Sequence, residues 1–187
     1  MRVAVYPGSF NPLHIGHLAI MRILTEEMDF DMVYLVVSPQ NPFKGEEMLQ
    51  SGQERFEAAV KAVARYPGLK VKVDDIELGM PAPQYTIRTL DALSAREPGN
   101  SFTLVIGADN LQSISRWRDA GRILTEYGVV AYPRKGFDMD MARRQLLENP
   151  GGSAYRITAI DAPLVEISST EIREGTAQGR DMSRFLM

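Results

Sequence analysis

Residues 3–17, Val-Ala-Val-Tyr-Pro-Gly-Ser-Phe-Asn-Pro-Leu-His-Ile-Gly-His, decide the fold of this chain. The apolar run at residues 3–6 predicts a buried strand, because it is short, continuous and closed by Pro7 and Gly8. From Ile15 to Met28, apolar residues return every three or four positions, which predicts a helix. A strand, a glycine-bearing loop and a helix in this order are typical of an α/β domain.

The same alternation continues along the rest of the chain. Further strands are predicted at residues 32–37, 71–73 and 102–106, and short apolar runs follow at 129–132 and 164–167. Helices are predicted from the capping box of Ser51 and Glu54 to Pro67, over residues 85–96 and over 139–147. In the helix after Ser51, the residues predicted to face inward are Phe56, Ala59, Val60 and Val63. The pattern predicts an α/β fold whose parallel sheet is covered on both faces.

Composition narrows the function classes. The 187 residues predict a single domain over positions 1–187, and the 21 basic against 24 acidic residues give a net charge of −3. Cysteine is absent, so disulfides, cysteine proteases and Cys-ligated zinc sites are excluded. No apolar run reaches the ~20 residues of a membrane span, so the sequence predicts a cytoplasmic protein. Without a global basic field, no nucleic-acid partner is expected and anion binding must come from a local pocket.

Both histidines of the chain lie in one tetrapeptide, His14-Ile15-Gly16-His17. At the predicted helix N-terminus, the two imidazoles would lie one turn apart, beside free N–H groups and the positive end of the helix dipole. Residues 7–11 add backbone donors just upstream. The segment predicts a phosphate site at the carboxyl end of the first strand. Two alternatives are a buried structural histidine beside a solvated one, and a shared zinc ion.

A second polar cluster comes late in the chain. Ser168, Ser169 and Thr170 precede Glu171 and Arg173. Ser168 and Glu171 predict a capping box. Three hydroxyl residues followed by an arginine also suit the outer phosphates of a nucleotide, and the two roles can coexist.

These motifs together resemble the nucleotidyltransferases of the HxGH type, and within them the bacterial nicotinate-nucleotide adenylyltransferases. The resemblance extends over essentially the whole chain. The motifs that carry it are residues 8–17, Asn41-Pro42-Phe43-Lys44, Tyr85 to Leu90, Gly107-Ala108-Asp109 followed by Trp117, and Ile167 to Arg173. The sequence departs from the family pattern in three places: Asn11 replaces the usual Asp, Asn41-Pro42 replaces Pro-Pro, and residues 132–136 only loosely follow Arg-Pro-Gly.

The resemblance implies a Rossmann-like, open, mainly parallel sheet with helices on both faces. It also implies transfer of AMP from ATP to nicotinate mononucleotide, which forms deamido-NAD and pyrophosphate. A phosphate oxygen is the nucleophile and needs no general base. The protein is therefore expected to accelerate the reaction by positioning the two substrates and neutralising their charge. Mg²⁺ is expected to bind mainly to ATP phosphate oxygens and water, and the resemblance assigns it no ligand from the protein.

The resemblance also implies site residues. The catalytic set is His14, His17, Lys44 and Arg173. The ATP-binding set is Gly8, Ser9, Phe10, His14, His17, Gly107, Asp109, Ser168, Ser169, Thr170 and Arg173. The mononucleotide-binding set is Asn11, Lys44, Tyr85, Thr86, Trp117 and Arg134, with Trp117 stacked on the nicotinate ring and amides near Thr86 on its carboxylate.

Two alternatives remain open at this stage. One is an enzyme resembling phosphopantetheine adenylyltransferase, which has similar first and last motifs. The other is a catalytically silent nucleotide-binding sensor. The sequence leaves oligomeric state, the degree of nicotinate selectivity, motion of residues 39–50, and the roles of Arg134 and of segment 135–155 undetermined.

Overall fold

A computed structural model describes residues 1–39, 51–163 and 167–187. Within these residues, the strands are β1 (Arg2–Gly8), β2 (Met32–Val37), β3 (Val71–Asp74), β4 (Ser101–Gly107), β5 (Val129–Tyr132) and β6 (Ile157–Ala159). The helices are α1 (Ile15–Glu26), α2 (Gly52–Ala64), α3 (Thr86–Arg96), α4 (Ala108–Ser113), α5 (Ala120–Arg122), α6 (Met139–Glu148) and α7 (Ser169–Ala177). None of these helices is long and apolar enough to cross a bilayer.

The described strands form one sheet in the order β3-β2-β1-β4-β5-β6, and every pairing in it is parallel. This order reverses direction between β1 and β4, where the connections on either side diverge and leave a crevice. In the register, Val3 pairs with Met32 on one side and with Phe102 on the other. The sheet is a Rossmann-like α/β fold, and the prediction of a mainly parallel sheet is confirmed.

Two apolar layers cover the sheet, one on each face. Val3 and Val5 point into the layer that α3 and α6 close, whereas Ala4 and Tyr6 point into the layer that α1 and α2 close. Successive side chains of a strand face opposite sides, so a continuous apolar run fills both layers. Helices on both faces are therefore confirmed.

The structure corrects three details of the sequence prediction. The sixth strand is β6, which the sequence did not predict. Residue 167 is outside any strand and residues 164–166 lie outside the described part of the chain. Val60 is 43% exposed rather than inward, because Arg55 and Ala59 occupy the buried stripe of α2. Ile15, the first residue of α1, is 36% exposed rather than inward.

Candidate active site

The crevice between β1 and β4 holds two adjacent cavities that share part of their walls. One, of about 420 Å³, is named here the guanidinium cavity because Arg55, Arg134 and Arg173 line it. The other, of about 520 Å³, is named the mixed cavity because Asp109 and Glu171 line it together with Arg134 and Lys135. The residues common to both are Tyr6, His14, His17, Tyr132, Arg134 and Ser168.

The charge of the guanidinium cavity is one-sided. Its described lining contains three arginines and no carboxylate. It also includes the β1 loop at Gly8 and Ser9 and the α7 start at Ser169 and Thr170. Guanidinium groups and backbone or hydroxyl donors in one concavity suit a polyanion such as a chain of phosphates.

His14 and His17 close the first turn of α1 by capping each other. The His14 Nδ1 atom accepts from the Gly16 amide at 3.1 Å, and the His17 Nδ1 atom accepts from the His14 amide at 3.1 Å. The ring centroids are 3.8 Å apart. An imidazole nitrogen that accepts a bond carries no proton, so the proton of each neutral ring is on Nε2. Both histidines therefore offer an Nε2–H donor at the wall that the two cavities share.

The surroundings keep both imidazoles neutral. Burial, followed by the positive charge of Arg134, lowers the pKa of His14 to about 4. Burial also holds the pKa of His17 well below its usual range, and the charges of His14 and Arg134 act in the same direction. At neutral pH the site thus presents two uncharged donors beside fixed cations.

The loop between β1 and α1 is strained at one residue. Phe10 has a φ of +46°, a left-handed conformation that is uncommon for a side chain of this size. Its ring is buried between Tyr6 and His17, at centroid distances of 5.6 and 5.2 Å. A Cβ on Gly8 would approach that ring to 2.8 Å, so packing of Phe10 requires glycine there. Such strain persists because the packing around it fixes the loop.

Helix α7 is joined to that loop by two hydrogen bonds. Ser169 Oγ donates to the Pro12 carbonyl at 2.9 Å, and Arg173 Nη1 donates to the Asn11 carbonyl at 2.6 Å. The helix begins with the predicted capping box, since Ser168 Oγ accepts from the Glu171 amide and Glu171 accepts from the Ser168 amide. The first and last motifs of the chain are therefore adjacent in space.

Asp109 contributes an unsatisfied acceptor. Its Oδ1 atom is the one buried side-chain nitrogen or oxygen without a hydrogen bond among the described residues. The Arg134 Nε atom lies 3.7 Å from it, beyond hydrogen-bond distance. A Cβ on Gly107 would clash with the same oxygen and crowd Arg134, so any larger residue there would displace the Asp109 side chain. Gly107 is the N-cap of α4, so Asp109 lies in the first turn of that helix. The atom is thus ion-paired with Arg134 but makes no hydrogen bond, and such a buried acceptor at a cavity wall can accept from a ligand.

The residues predicted to bind the mononucleotide ring lie apart from these cavities. Tyr85, Thr86 and Trp117 are absent from both described linings. Tyr85 is the N-cap of α3 and makes no side-chain capping bond. The guanidinium carbons of Arg88 and Arg118 lie 5.2 and 5.1 Å from the centre of its ring. Trp117 is half-buried against the core layer under α3. Of the same predicted set, Asn11 is buried and Arg134 lines both cavities.

Sequence analysis missed several residues that line the cavities. Arg55 is 2% exposed and lines the guanidinium cavity, and Tyr6 and Tyr132 line both cavities. An arginine on the inward stripe of α2 was the available signal for Arg55, and the assumption that apolar residues fill that stripe concealed it. Lys44 and its motif, by contrast, lie outside the described residues.

Comparison with known proteins gives consistent results. Residues 5–175 match the family model described as Cytidylyltransferase-like. The chain is 40% identical over 185 residues to a Bacteroides fragilis protein named "Probable nicotinate-nucleotide adenylyltransferase", covering 99% of this chain and 87% of that one. A protein of the same name from Porphyromonas gingivalis is 40% identical over 186 residues, covering 100% and 89%.

A solved structure gives the same fold at low sequence identity. The nicotinic acid mononucleotide adenylyltransferase of Plasmodium falciparum, complexed with NaAD, superposes with a TM-score of 0.77. The match covers 99% of this chain and 90% of that one at 16% identity. This likeness supports the α/β fold independently of the sequence matches.

Proposed function

The chain belongs to the nicotinate-nucleotide adenylyltransferases within the cytidylyltransferase-like family, and from this premise we propose that its crevice transfers AMP from ATP to nicotinate mononucleotide. The products are deamido-NAD, a precursor of NAD, and pyrophosphate. We assign the reaction to one domain comprising the whole chain, with two small molecules as its substrates.

The observation that carries this proposal is the guanidinium cavity beside two neutral histidines. In the reaction, a phosphate oxygen of the mononucleotide forms a bond to the α-phosphorus of ATP, and the bond from that phosphorus to the pyrophosphate oxygen breaks. The nucleophile is already ionised near neutral pH, since the second pKa of a phosphate monoester is about 6. The protein therefore needs donors and cations rather than a base, and these are what the cavity contains.

The proposed roles follow the positions of the donors. The Nε2–H groups of His14 and His17 donate to the ATP phosphates, and the His17 donor acts on the α-phosphate as charge develops there. Arg173 and the hydroxyls of Ser168 to Thr170 hold the outer phosphates near the start of α7. Lys44, if it reaches the cleft as the motif implies, adds a further cation.

The nucleoside portion of ATP fits the mixed cavity. The Asp109 Oδ1 atom would accept from a ribose hydroxyl, which supplies the hydrogen bond that this atom lacks in the protein. Gly8, Ser9 and Phe10 form the loop against which the phosphates lie, and Gly107 allows Asp109 its position.

Mg²⁺ is compatible with this site as a substrate-borne ion. Among the described residues, no three carboxylate or imidazole groups are grouped to hold a metal. Mg²⁺ characteristically keeps several waters and binds through substrate phosphates, and the hydroxyls of Ser169 and Thr170 could hold those waters. Bound in this way, it neutralises charge on the phosphates.

The first turn of α3 supports the choice of the nicotinate ring. The described hydrogen bonds include none from the Thr86 and Ile87 amides, and the arginines stacked on Tyr85 make the surroundings positive. A carboxylate would accept from such amides, whereas a carboxamide would direct its own NH₂ donors at them. We therefore assign the nicotinate carboxylate to Thr86 and the ring to Trp117, with Asn11 and Arg134 toward the mononucleotide phosphate.

Product analysis tests the proposed function. Purified protein is incubated with ATP and Mg²⁺ and, in separate reactions, with nicotinate or nicotinamide mononucleotide or phosphopantetheine. We expect the dinucleotide and pyrophosphate with the nicotinate compound, at a kcat/KM roughly ten to a thousand times that for the amide, since each unmatched donor costs ~1 to 3 kcal/mol. Pyrophosphate release only with phosphopantetheine would transfer the assignment to that alternative. Nucleotide binding without release would establish a silent sensor.

A further inference from the structure

A buried arginine holds the loops that follow two neighbouring strands. Arg55, 2% exposed on α2, donates to the Ser9 carbonyl at 2.7 Å and to the Ser38 carbonyl at 2.8 Å. Ser9 follows β1 in the loop of residues 8–10, named here the phosphate loop, and Ser38 follows β2. The Ser38 amide also donates to the Gly8 carbonyl at 2.9 Å. The planar fork of a guanidinium fixes the separation of two acceptors, which a flexible ammonium cannot do.

The hydrogen bonds continue from Ser38 to α3. The Ser38 side chain bonds the Glu77 carboxylate, which also accepts from Thr89 Oγ1 at 2.8 Å. Glu77 is 6% exposed and Thr89 is 2% exposed. Thr89 lies one turn after Thr86, and its amide donates to the Tyr85 carbonyl at 3.3 Å. The chain of bonds therefore ends at the first turn of α3.

Burial of these groups needs an explanation beyond packing. A charged guanidinium and a carboxyl group are costly to take out of water, and apolar residues of similar volume would often stabilise the fold as well or better. Directional bonds, however, fix loops in one geometry where apolar packing allows several. We name four residues the buried polar chain: Arg55, Ser38, Glu77 and Thr89. This chain begins at the wall of the guanidinium cavity and ends at the predicted mononucleotide subsite.

We propose that the buried polar chain, Arg55, Ser38, Glu77 and Thr89, positions the phosphate loop relative to the first turn of α3 and so couples the binding of the two substrates. Arg55 is then a positioning residue that acts through the Ser9 and Ser38 carbonyls. The coupling between substrates rests on the proposed function, whereas the positioning of the loop does not.

Hydrogen exchange in the ligand-free protein tests the positioning. Arg55→Met is expected to raise amide exchange at residues 8–10 and at Ser38 by at least tenfold. Arg55→Lys restores protection only in part, because an ammonium cannot reproduce the fork. Arg22→Met, which makes the same replacement at an exposed position on α1, is the matched control and leaves these amides unchanged. Unchanged exchange at residues 8–10 in a folded Arg55→Met protein would overturn the proposal.

Thr89→Val tests the far end of the chain with little change in shape. It removes only the hydroxyl donor to Glu77, so it provides a second test of the proposal if the Arg55→Met protein does not fold. We expect faster exchange at Arg88 and Thr89, whose amides donate to the Tyr85 carbonyl in the first turn of α3. Unchanged exchange at both amides would break the chain at Glu77 and overturn the proposal.

Binding measurements test the coupling. Affinity for nicotinate mononucleotide is measured with and without saturating α,β-methylene-ATP, whose bridging carbon prevents transfer. In wild type, the analogue is expected to change mononucleotide affinity by at least fivefold, and in Arg55→Met and Thr89→Val this factor falls towards one. An undiminished factor in both variants would exclude the coupling. If wild type makes no dinucleotide while the exchange results hold, the proposed function fails and the positioning role stands.

Discussion

At the scale of single residues, the mutual capping of His14 and His17 fixes where their protons lie. Each Nδ1 atom accepts from a backbone amide, so we expect both rings to be neutral Nε2–H tautomers above pH 5. Long-range ¹H–¹⁵N NMR reads the protonation of each ring nitrogen directly. Because the chain contains two histidines, the spectrum holds two ring systems to assign. Titration of either ring near pH 6.5, or a proton on Nδ1, would contradict this assignment.

The two nitrogens of His17 can be tested separately by substitution. His17→Asn keeps an acceptor near the Nδ1 position but loses the Nε2–H donor, whereas His17→Ala loses both. We expect both variants to lose roughly 10²- to 10³-fold in kcat, the cost of one donor to a developing charge. Both variants lose the packing of the His17 ring on Phe10, and His17→Ala should be less stable than His17→Asn by a further ~1 kcal/mol, from the missing cap.

Steady-state kinetics and urea unfolding measure the two effects. A His17→Asn enzyme with near wild-type turnover would remove the Nε2–H group from the mechanism. Equal stability of the two variants would show that the cap contributes nothing measurable.

At the scale of elements, two helices begin with the same capping box in different surroundings. Ser168 caps α7 and lines both cavities, whereas Ser51 caps α2 and is absent from their described linings. We expect Ser168→Ala and Ser51→Ala to lower stability similarly, by ~1 kcal/mol or about 2–4 °C in Tm. Only Ser168→Ala should raise KM for ATP, by about threefold or more. A raised KM in both variants would indicate a general loosening of the cleft.

Hydrophobic periodicity predicted most elements because their burial is regular. Strand β2 is a continuous apolar run, β1 contains one at residues 3–6 and β4 contains one at residues 104–106. Helices α3 and α6 follow the expected limits within one residue. Strand β6 was missed because its three residues, Ile157 to Ala159, include a threonine and lie at the sheet edge, where a short segment leaves no periodic signal.

The site was predictable where motifs are local and obscure where partners are distant in sequence. His14 and His17 lie in one tetrapeptide, so the motif is visible in the sequence. Arg55 finds its partners at Ser9 and Ser38, 46 and 17 positions away, and no local pattern encodes such a contact. The position of the Asp109 oxygen that lacks a hydrogen bond likewise depends on the packing of Gly107 and Arg134.

At the scale of the whole molecule, the neutral histidines make stability depend on pH. In the folded protein the pKa of His14 is about 4 and the pKa of His17 is also lowered, whereas both are near 6.5 in the unfolded chain. Between pH 4 and 6.5 the unfolded chain therefore binds more protons than the folded protein. Stability therefore rises with pH in this window and is lost on acidification, by up to ~1.4 kcal/mol per pH unit for each histidine.

Thermal unfolding at pH 7.0 and 5.5 measures this dependence. We expect Tm to fall by several degrees in wild type and by less in the double variant His14→Asn, His17→Asn, which cannot titrate at these positions. The raised pKa of Glu77 opposes the trend in both proteins and cancels in the comparison. An equal fall in both proteins would place the acid sensitivity outside the histidines.

The all-parallel sheet has a practical consequence for labelling. Every described strand ends at the edge of the sheet where the crevice lies, so the connections that lead into the strands lie at the opposite edge. Gly99 is exposed in the connection into β4, and a side chain there would meet no atom within 4 Å. Since the chain has no cysteine, Gly99→Cys would provide a single thiol for a fluorophore or a surface tether. The fold thus offers an attachment point that leaves the crevice and its residues unmodified.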